Sequence, residues 1–364
     1  MITQELIKII EEIVPPDYAE DFDNVGLLVG DPHREVTGVL VTLDTLEATI
    51  EEAVSQHCNF ILSFHPIIFN GLKKLTGSSY VERVVRQAIK NDIQIYAIHT
   101  ALDNSAIGVS MKMAEIIGLK QTRILIPKKG GLKKLTTYVP LAHSEKLRTA
   151  LFEAGAGKLG NYDSCSFNFE GLGTYRANEK ANPFLGKKGE LHNEKENCLS
   201  VVFERHLETD ILKSLRANHP YEEVAYEIVS LDNTRKGLGL GTIGELESGL
   251  TPEEFFELVK EKFGIRTIRY SAAHKNLLKK VAVLGGSGSF GIANAIREQA
   301  DVYLTADLKY HDFFRAEGKL LLADIGHYES EQFTKNLLVD LLSKKITNFA
   351  IILSKINTNP INYF

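Results

Sequence analysis

Short apolar runs and stretches with helical periodicity follow one another in residues 1–125. This alternation is typical of strand–helix–strand units that build a mainly parallel sheet. The pattern predicts strands at residues 39–43, 60–63 and 93–98, and helices at residues 46–55, 81–90 and 111–117. Residues 1–127 are therefore expected to form the first half of an α/β domain.

The same alternation returns near the end of the chain, in residues 233–364. Thr251, Pro252 and Glu254 form a helix-start signal, and Gly264 ends that predicted helix. The remaining elements are strands at 280–284, 302–305, 320–325 and 349–353, a helix at 292–299 and a long helix at 329–343. We expect this region to be the second half of the same α/β domain.

The middle of the chain, residues 128–232, has a different pattern. Strand-like runs at 132–139, 198–203 and 224–229 enclose helical patterns at 144–154 and 209–217, with long polar loops between them. Strand–helix–strand repeated twice predicts a small α+β domain of ferredoxin-like type. It would interrupt the larger domain as an insertion, since insertions are tolerated where chain ends lie close together.

Composition narrows the functional classes. The 364 residues carry a formal net charge of -5 and no basic runs, so nucleic acid is not expected as a partner. Neither a secretory signal nor a membrane-spanning run is recognisable, which predicts a cytoplasmic protein. The three cysteines, Cys58, Cys165 and Cys198, are far apart, so any metal would be held by nitrogen and oxygen atoms.

Three histidines follow predicted strands directly: His65, His99 and His327. Ligands bind at the carboxyl ends of parallel strands, so these side chains are expected to converge. Asp103 lies four residues after His99, and Glu331 lies four residues after His327. If Gly326 precedes the last long helix, His327 and Glu331 lie one turn apart on a single face, a spacing able to chelate one ion. Mixed imidazole and carboxylate ligands favour Zn, Mn or Fe over Ca or Mg, and the sequence does not choose among those three.

A glycine-rich turn offers a different interpretation. Residues 285–291 contain a G-x-G-x-x-G pattern between a predicted strand and helix, with Asp307 about 20 residues further on. Dinucleotide binding by an oxidoreductase and a tight turn without a ligand both remain open. Polar clusters around Asp23, Asp307 and His219 are interpreted mainly as caps and turns.

An ordered set of segments resembles the NIF3-like family, often named GTP cyclohydrolase 1 type 2 homologs. The segments are Phe22-Asp23-Asn24-Val25-Gly26-Leu27, Ser63-Phe64-His65-Pro66, His99-Thr100-Ala101-Leu102-Asp103, the glycine turn, Thr305-Ala306-Asp307 and His327-Tyr328-Glu329-Ser330-Glu331. The middle of the chain, including Asn218-His219-Pro220-Tyr221-Glu222, looks like the inserted PII/CutA-like domain of the longer bacterial members.

The resemblance implies a dinuclear metal centre in a homohexamer. By this correspondence His65 and Asp103 match ligands of one ion, His327 matches a ligand of the other, and Glu331 matches a bridging carboxylate. His99 matches a family histidine near the centre. Zinc is the first expectation for the ion, with manganese or iron as alternatives, and one or two ions per chain.

One position departs from the family pattern. Many bacterial members have two adjacent histidines before the proline, and here the first of them is Phe64. A phenyl ring has no lone pair to donate, so one firm metal position and a second that is weaker or absent are expected. Metal-dependent hydrolysis of a nucleotide is one predicted function. The alternative is a non-catalytic metal-binding or regulatory protein whose insert senses a small molecule.

Overall fold

The computed structural model describes all residues, Met1–Phe364, and contains fifteen strands and eleven α-helices, besides short 3-10 turns. The strands are β1 (Gly26–Val29), β2 (Val39–Thr42), β3 (Phe60–Ser63), β4 (Gln94–Ala97), β5 (Lys120–Pro127), β6 (Leu132–Pro140), β7 (Ser166–Arg176), β8 (Leu191–Glu204), β9 (Tyr226–Leu231), β10 (Gly239–Leu250), β11 (Arg269–Tyr270), β12 (Leu278–Ser287), β13 (Val302–Ala306), β14 (Leu321–Asp324) and β15 (Ile351–Leu353). The helices are α1 (Thr3–Ile13), α2 (Glu47–Ser55), α3 (Tyr80–Lys90), α4 (His99–Asp103), α5 (Val109–Ile116), α6 (Ser144–Glu153), α7 (Glu208–Asn218), α8 (Pro252–Phe263), α9 (Ile292–Arg297), α10 (His327–Glu331) and α11 (Thr334–Lys345).

The chain separates into two compact units. The first joins Met1–Pro127 to Gly237–Phe364, and the second is Lys128–Lys236. No helix is both long enough and apolar enough to cross a membrane.

The first sheet of the larger unit has the strand order β1-β4-β3-β2-β15. Its four strands β4, β3, β2 and β15 are parallel, and β1 is antiparallel at the edge. Strands β2, β3 and β4 are buried along their whole length, because helices and loops cover both faces of a parallel sheet. The last strand of the chain, β15, thus completes a sheet begun by the first hundred residues.

The second sheet of the same unit has the order β11-β14-β13-β12-β10-β5. Here β14, β13 and β12 are parallel, while β11, β10 and β5 pair in antiparallel fashion. Strand β5 belongs to the first half of the chain and lies at the edge of this sheet. Each half of the chain therefore supplies one edge strand to the sheet of the other half.

The structure confirms the mixed α/β class and corrects part of the detail. The predicted strands at 39–43, 60–63 and 93–98 are confirmed as β2, β3 and β4. A single mainly parallel sheet is wrong, because the two halves build two sheets that contain both parallel and antiparallel pairs. The predicted long helix at 329–343 is also wrong: α10 and α11 are separate helices, and α10 begins earlier, at His327.

The smaller unit contains one four-stranded antiparallel sheet with the order β7-β8-β6-β9. Helix α6 follows the first strand of this unit, and α7 follows the third, which is the β-α-β-β-α-β order of ferredoxin-like domains. Apolar side chains of β6 and β8 pack against both helices in one core. The narrower likeness to PII and CutA proteins stays a prediction.

The candidate metal-binding histidines of the larger unit follow the carboxyl ends of strands in its two sheets. His65 comes two residues after β3, His99 two residues after β4 and His327 three residues after β14. Because these strands are parallel within each sheet, the loops that follow them lie at one edge of that sheet.

Candidate metal centre

The candidate centre is formed around one carboxylate, that of Glu331. Its Oε2 atom lies 3.1 Å from Nε2 of His65 and 3.2 Å from Nε2 of His327. The three donor atoms all lie within 4.8 Å of one another. Glu331 is only 4% exposed, whereas the two histidines are partly open to solvent. The structure therefore brings two imidazoles and one buried carboxylate to a single point.

The short helix α10 sets the spacing between His327 and Glu331. His327 is the first residue of α10 and Glu331 is the last, so their side chains lie one turn apart on the same face, as the spacing predicts. Gly326 precedes the helix with a positive φ of 94°, which allows the sharp entry from β14. The relative position of His327 and Glu331 therefore follows from the local sequence. Strand β14, which precedes α10, determines where this pair lies in the fold.

Each candidate histidine is oriented by an aspartate. Nδ1 of His65 lies 2.8 Å from Asp44, and Nδ1 of His327 lies 2.7 Å from Asp307. His99 has the same arrangement with Asp23, at 2.8 Å. Since a carboxylate accepts hydrogen bonds, each Nδ1 carries a proton, and in the neutral imidazole Nε2 retains a lone pair. Such outer-shell carboxylates fix the tautomer and raise the basicity of imidazoles that ligate metals.

Sequence reasoning missed these aspartates as functional residues. Asp23 and Asp307 were interpreted mainly as caps, and Asp44 was not singled out. The signal for two of them is their place after a strand: Asp44 follows β2 and Asp307 follows β13 directly. Asp23 precedes β1 instead, and it reaches the same edge because β1 runs antiparallel to β4.

The charges at the centre are unbalanced without a cation. Burial raises the pKa of Glu331, but hydrogen bonds with His327 and His65 outweigh it and lower the pKa to about 2. Burial lowers the pKa of His65, but Asp44 and Glu331 raise it to about 10. Asp307 and Glu331 likewise overcome burial at His327 and raise its pKa to about 11. The site attracts positive charge, which protons supply when no metal is bound.

Glu331 Oε2 faces the two imidazoles and no other hydrogen-bond donor. When the imidazoles are neutral, with the proton on Nδ1, the Nε2 atoms that face Oε2 carry no hydrogen, and this buried oxygen then has no hydrogen-bond partner. Leaving a buried carboxylate oxygen unpaired is costly. A cation placed among the two nitrogens and the oxygen would satisfy all three lone pairs. The residues present therefore fit a divalent metal ion.

Asp103 and His99 lie at the same centre but outside this group of three. Asp103 is the last residue of α4, and burial together with the charge of Glu331 raises its pKa well above the usual range. The ring centroid of His99 lies 5.4 Å from that of His65. His99 has a positive φ of 25°, a strained backbone conformation that is found preferentially at functional sites. Both residues line one cavity with His327 and Glu331.

That cavity has a volume of about 460 Å³. Polar and charged groups of the centre form one side. Apolar side chains also line the cavity: the exposed aromatic rings of Phe22 and Phe290, and Leu240 and Leu284. A cavity of this size accommodates a small organic molecule next to His327 and Glu331 of the centre.

Phe64 occupies the position of the first histidine in the family pattern. Its side chain is completely buried, and its ring centroid lies 4.9 Å from that of His65 and 5.6 Å from that of His99. The phenyl ring packs into the core beneath β3. No nitrogen donor is therefore available at this point beside His65 and His99.

The glycine turn has a packing role at this centre. Gly286 N donates a hydrogen bond of 2.9 Å to Ser330 Oγ, and a Cβ at Gly286 would lie only 2.4 Å from Glu331 Oε1. A Cβ at Gly288 would meet Thr305 Oγ1 at 2.0 Å. These glycines allow β12 to approach α10 and β13 closely, which accounts for them without a dinucleotide.

Replacement of Gly286 by alanine tests this packing. Gly286 and Gly264 both have a φ of +66°, but nothing lies within 4 Å of a Cβ at Gly264. Gly264→Ala should cost about 1 kcal/mol from the left-handed conformation alone. Gly286→Ala should cost a further ~1–3 kcal/mol because the methyl group displaces Glu331. Urea unfolding in the presence of a chelator measures both, and equal losses would contradict the close contact.

Comparison with known proteins shows which family the chain resembles. The family model described as Duf34/NIF3 (NGG1p interacting factor 3) matches residues 1–360. A Bacillus subtilis protein named GTP cyclohydrolase 1 type 2 homolog is 37% identical over 99% of this chain and 98% of its own length. A solved Bacillus cereus protein related to NIF3 is 34% identical, with a TM-score of 0.85 over 100% of this chain and 99% of that one. A Staphylococcus aureus structure has a TM-score of 0.79 and 30% identity, with 100% of this chain and 99% of that one covered. The chain belongs to the NIF3 family.

Proposed function

We propose that this protein binds a divalent metal ion through His65, His327 and Glu331. The observation that carries the proposal is the buried Oε2 of Glu331, which faces two Nε2 atoms at 3.1 and 3.2 Å and has no hydrogen-bond partner when the imidazoles are neutral. The aspartates behind both imidazoles support it, because they hold the rings with Nε2 directed at that oxygen. Two nitrogens and one carboxylate oxygen favour Zn, Mn or Fe.

We further propose that the centre catalyses the hydrolysis of a small molecule. When bound, a divalent ion at such a site supplies Lewis acidity and a nucleophilic hydroxide near neutral pH. His99 lines the cavity, and its Nδ1 is held by Asp23, so its Nε2 is placed to accept or donate a proton. Phe22 and Phe290 offer aromatic surface for a planar ring. The name of the Bacillus subtilis relative points to a nucleotide such as GTP.

A non-catalytic metal-binding or regulatory function is the second candidate. Phe64 favours it, because the phenyl ring beside His65 and His99 removes a donor that a second ion would use. A mechanism with two ions needs both positions filled. The two candidates differ in whether the metal-loaded protein turns over any substrate.

Metal content gives the first test. Wild-type protein, loaded with Zn and dialysed exhaustively, should retain about one equivalent per chain, since three protein ligands and one open position form a stable catalytic-type site. Glu331→Gln and His327→Ala should lose the ion, whereas His33→Ala, at an exposed histidine, should retain it. Elemental mass spectrometry measures all four. Two tightly held equivalents in the wild type, or an unchanged content in Glu331→Gln, would refute the proposed site.

Substitution of Phe64 tests the second position. Phe64→His places an imidazole beside His65 and His99, and the retained metal should rise to about two equivalents per chain. Phe64→Leu is the matched control, because it keeps an apolar side chain in the core and should leave the content unchanged. If Phe64→His gains no metal while it remains folded by circular dichroism, the phenyl ring is not what weakens the second position.

Turnover is the third test. Metal-loaded protein should hydrolyse at least one member of a panel of nucleotides and phosphoesters, and Glu331→Gln should abolish that activity. Glu317→Gln, at an exposed glutamate, is the control and should retain it. Activity that survives Glu331→Gln would show that this centre is not the catalyst. Absence of turnover in metal-loaded wild type would favour the regulatory candidate.

A further inference from the structure

A second cavity lies in the smaller unit, on the face of its sheet that carries no helices. The core side chains Leu135 and Val139 of β6, with Leu199 of β8, point toward α6 and α7. Tyr138 and Cys198 alternate with them and therefore point to the opposite face. The cavity on that face has a volume of about 530 Å³. It is separate from the candidate metal centre, and all of its lining residues belong to the smaller unit.

Aromatic side chains and a loop held by hydrogen bonds form the walls of this cavity. Residues 177–185, which follow β7, close one side. Tyr175 OH donates a hydrogen bond of 2.8 Å to the carbonyl of Leu185, and the backbone N–H of Asn182 donates one of 2.7 Å to Glu222 Oε1. Tyr221 packs against Tyr175 with ring centroids 5.8 Å apart and against Phe184 at 6.5 Å. These hydrogen bonds and ring contacts hold the three aromatic rings in place along one wall of the cavity.

A buried carboxylate lies in this apolar setting. Glu196 is only 8% exposed, and its Oε1 accepts a hydrogen bond of 2.7 Å from Tyr221 OH. Its Oε2 accepts no hydrogen bond from the protein and rests against the backbone of β7, where a Cβ at Gly173 would lie 2.1 Å from it. A carboxylate with limited access to water is stabilised by a positive charge or a donor that pairs with it. One oxygen of Glu196 is thus left for a ligand.

The charge of the lining has one sign. The charged residues that line the cavity are Glu196, Glu222 and Glu223, and no lysine, arginine or histidine is among them. An anionic ligand would be repelled by this set. The faces of aromatic rings attract cations, which adds to the preference. The carboxylates and the aromatic rings together favour a ligand that carries a positive charge on an apolar group.

We propose that this cavity binds a small organic cation, an ammonium or amidinium group on an aromatic body. Glu196 Oε2 pairs with the cationic group, and Tyr175, Phe184 and Tyr221 enclose the ring. The proposal does not depend on the metal centre, since it rests on other residues. A matched pair of probes tests it: phenethylammonium, and 2-phenylethanol, in which a hydroxyl replaces the ammonium group.

Calorimetry on the full-length chain provides the measurement. Phenethylammonium has nine non-hydrogen atoms and should bind with a Kd on the order of 1 mM or tighter. The alcohol should bind at least about tenfold more weakly, because it cannot form a charge-assisted hydrogen bond with Glu196. Glu196→Gln should weaken binding of the ammonium probe at least about tenfold and leave binding of the alcohol nearly unchanged.

Two further variants distinguish the loss of the binding site from a loss of folding. Gly173→Ala should also weaken binding of the ammonium probe, because the new methyl group would displace Glu196 Oε2. Glu170→Gln, on the same strand but outside the cavity lining, should leave binding unchanged. Circular dichroism and the thermal midpoint establish that each variant is folded before titration.

Three results would overturn the proposal. The first is no heat of binding for phenethylammonium up to about 10 mM, well above the affinity expected for a ligand of this size. The second is equal affinity for the alcohol, which would show that the rings alone bind the probe. The third is a folded Glu196→Gln variant that binds the ammonium probe as tightly as the wild type does.

Discussion

The larger unit is organised around one buried carboxylate that faces two imidazoles. Glu331 is almost inaccessible to water, and its Oε2 lies 3.1 and 3.2 Å from the Nε2 atoms of His65 and His327. With neutral imidazoles this arrangement of lone pairs is unfavourable unless a cation or protons occupy it. The surrounding structure therefore holds together three groups that are compatible only when a cation or protons lie among them.

Several parts of the fold supply that restraint. Asp44 and Asp307 fix the two imidazole rings from behind, at 2.8 and 2.7 Å. Gly286 lets β12 approach α10, and its N–H binds Ser330, the neighbour of Glu331. The two sheets exchange edge strands, since β5 and β15 each pair with the sheet of the other half. These contacts bring His65 from one sheet and His327 from the other to the same carboxylate.

The candidate metal centre and the cavity of the smaller unit differ in the groups that stand beside their carboxylates. At the candidate metal centre, imidazole nitrogens accompany the carboxylate and provide donor atoms that suit a transition metal. In the smaller unit, aromatic rings surround Glu196 and no imidazole lines the cavity. A metal ion would find too few donors there, whereas an organic cation can use both the charge and the rings. The class of ligand proposed for each site thus rests on the groups beside its carboxylate.

The sequence by itself determined the local elements and the local pairs. Buried strands such as β2, β3 and β4 were predictable because their apolar runs are short and bounded, and the pair of His327 and Glu331 follows from the helical repeat. The resemblance of short motifs identified the family. Only the tertiary structure decided which residues meet. His65 and Glu331 are far apart along the chain, and the order of strands in two sheets sets their distance. That order, and the antiparallel β1 that brings Asp23 to His99, arises from pairing between remote segments, which local periodicity does not encode.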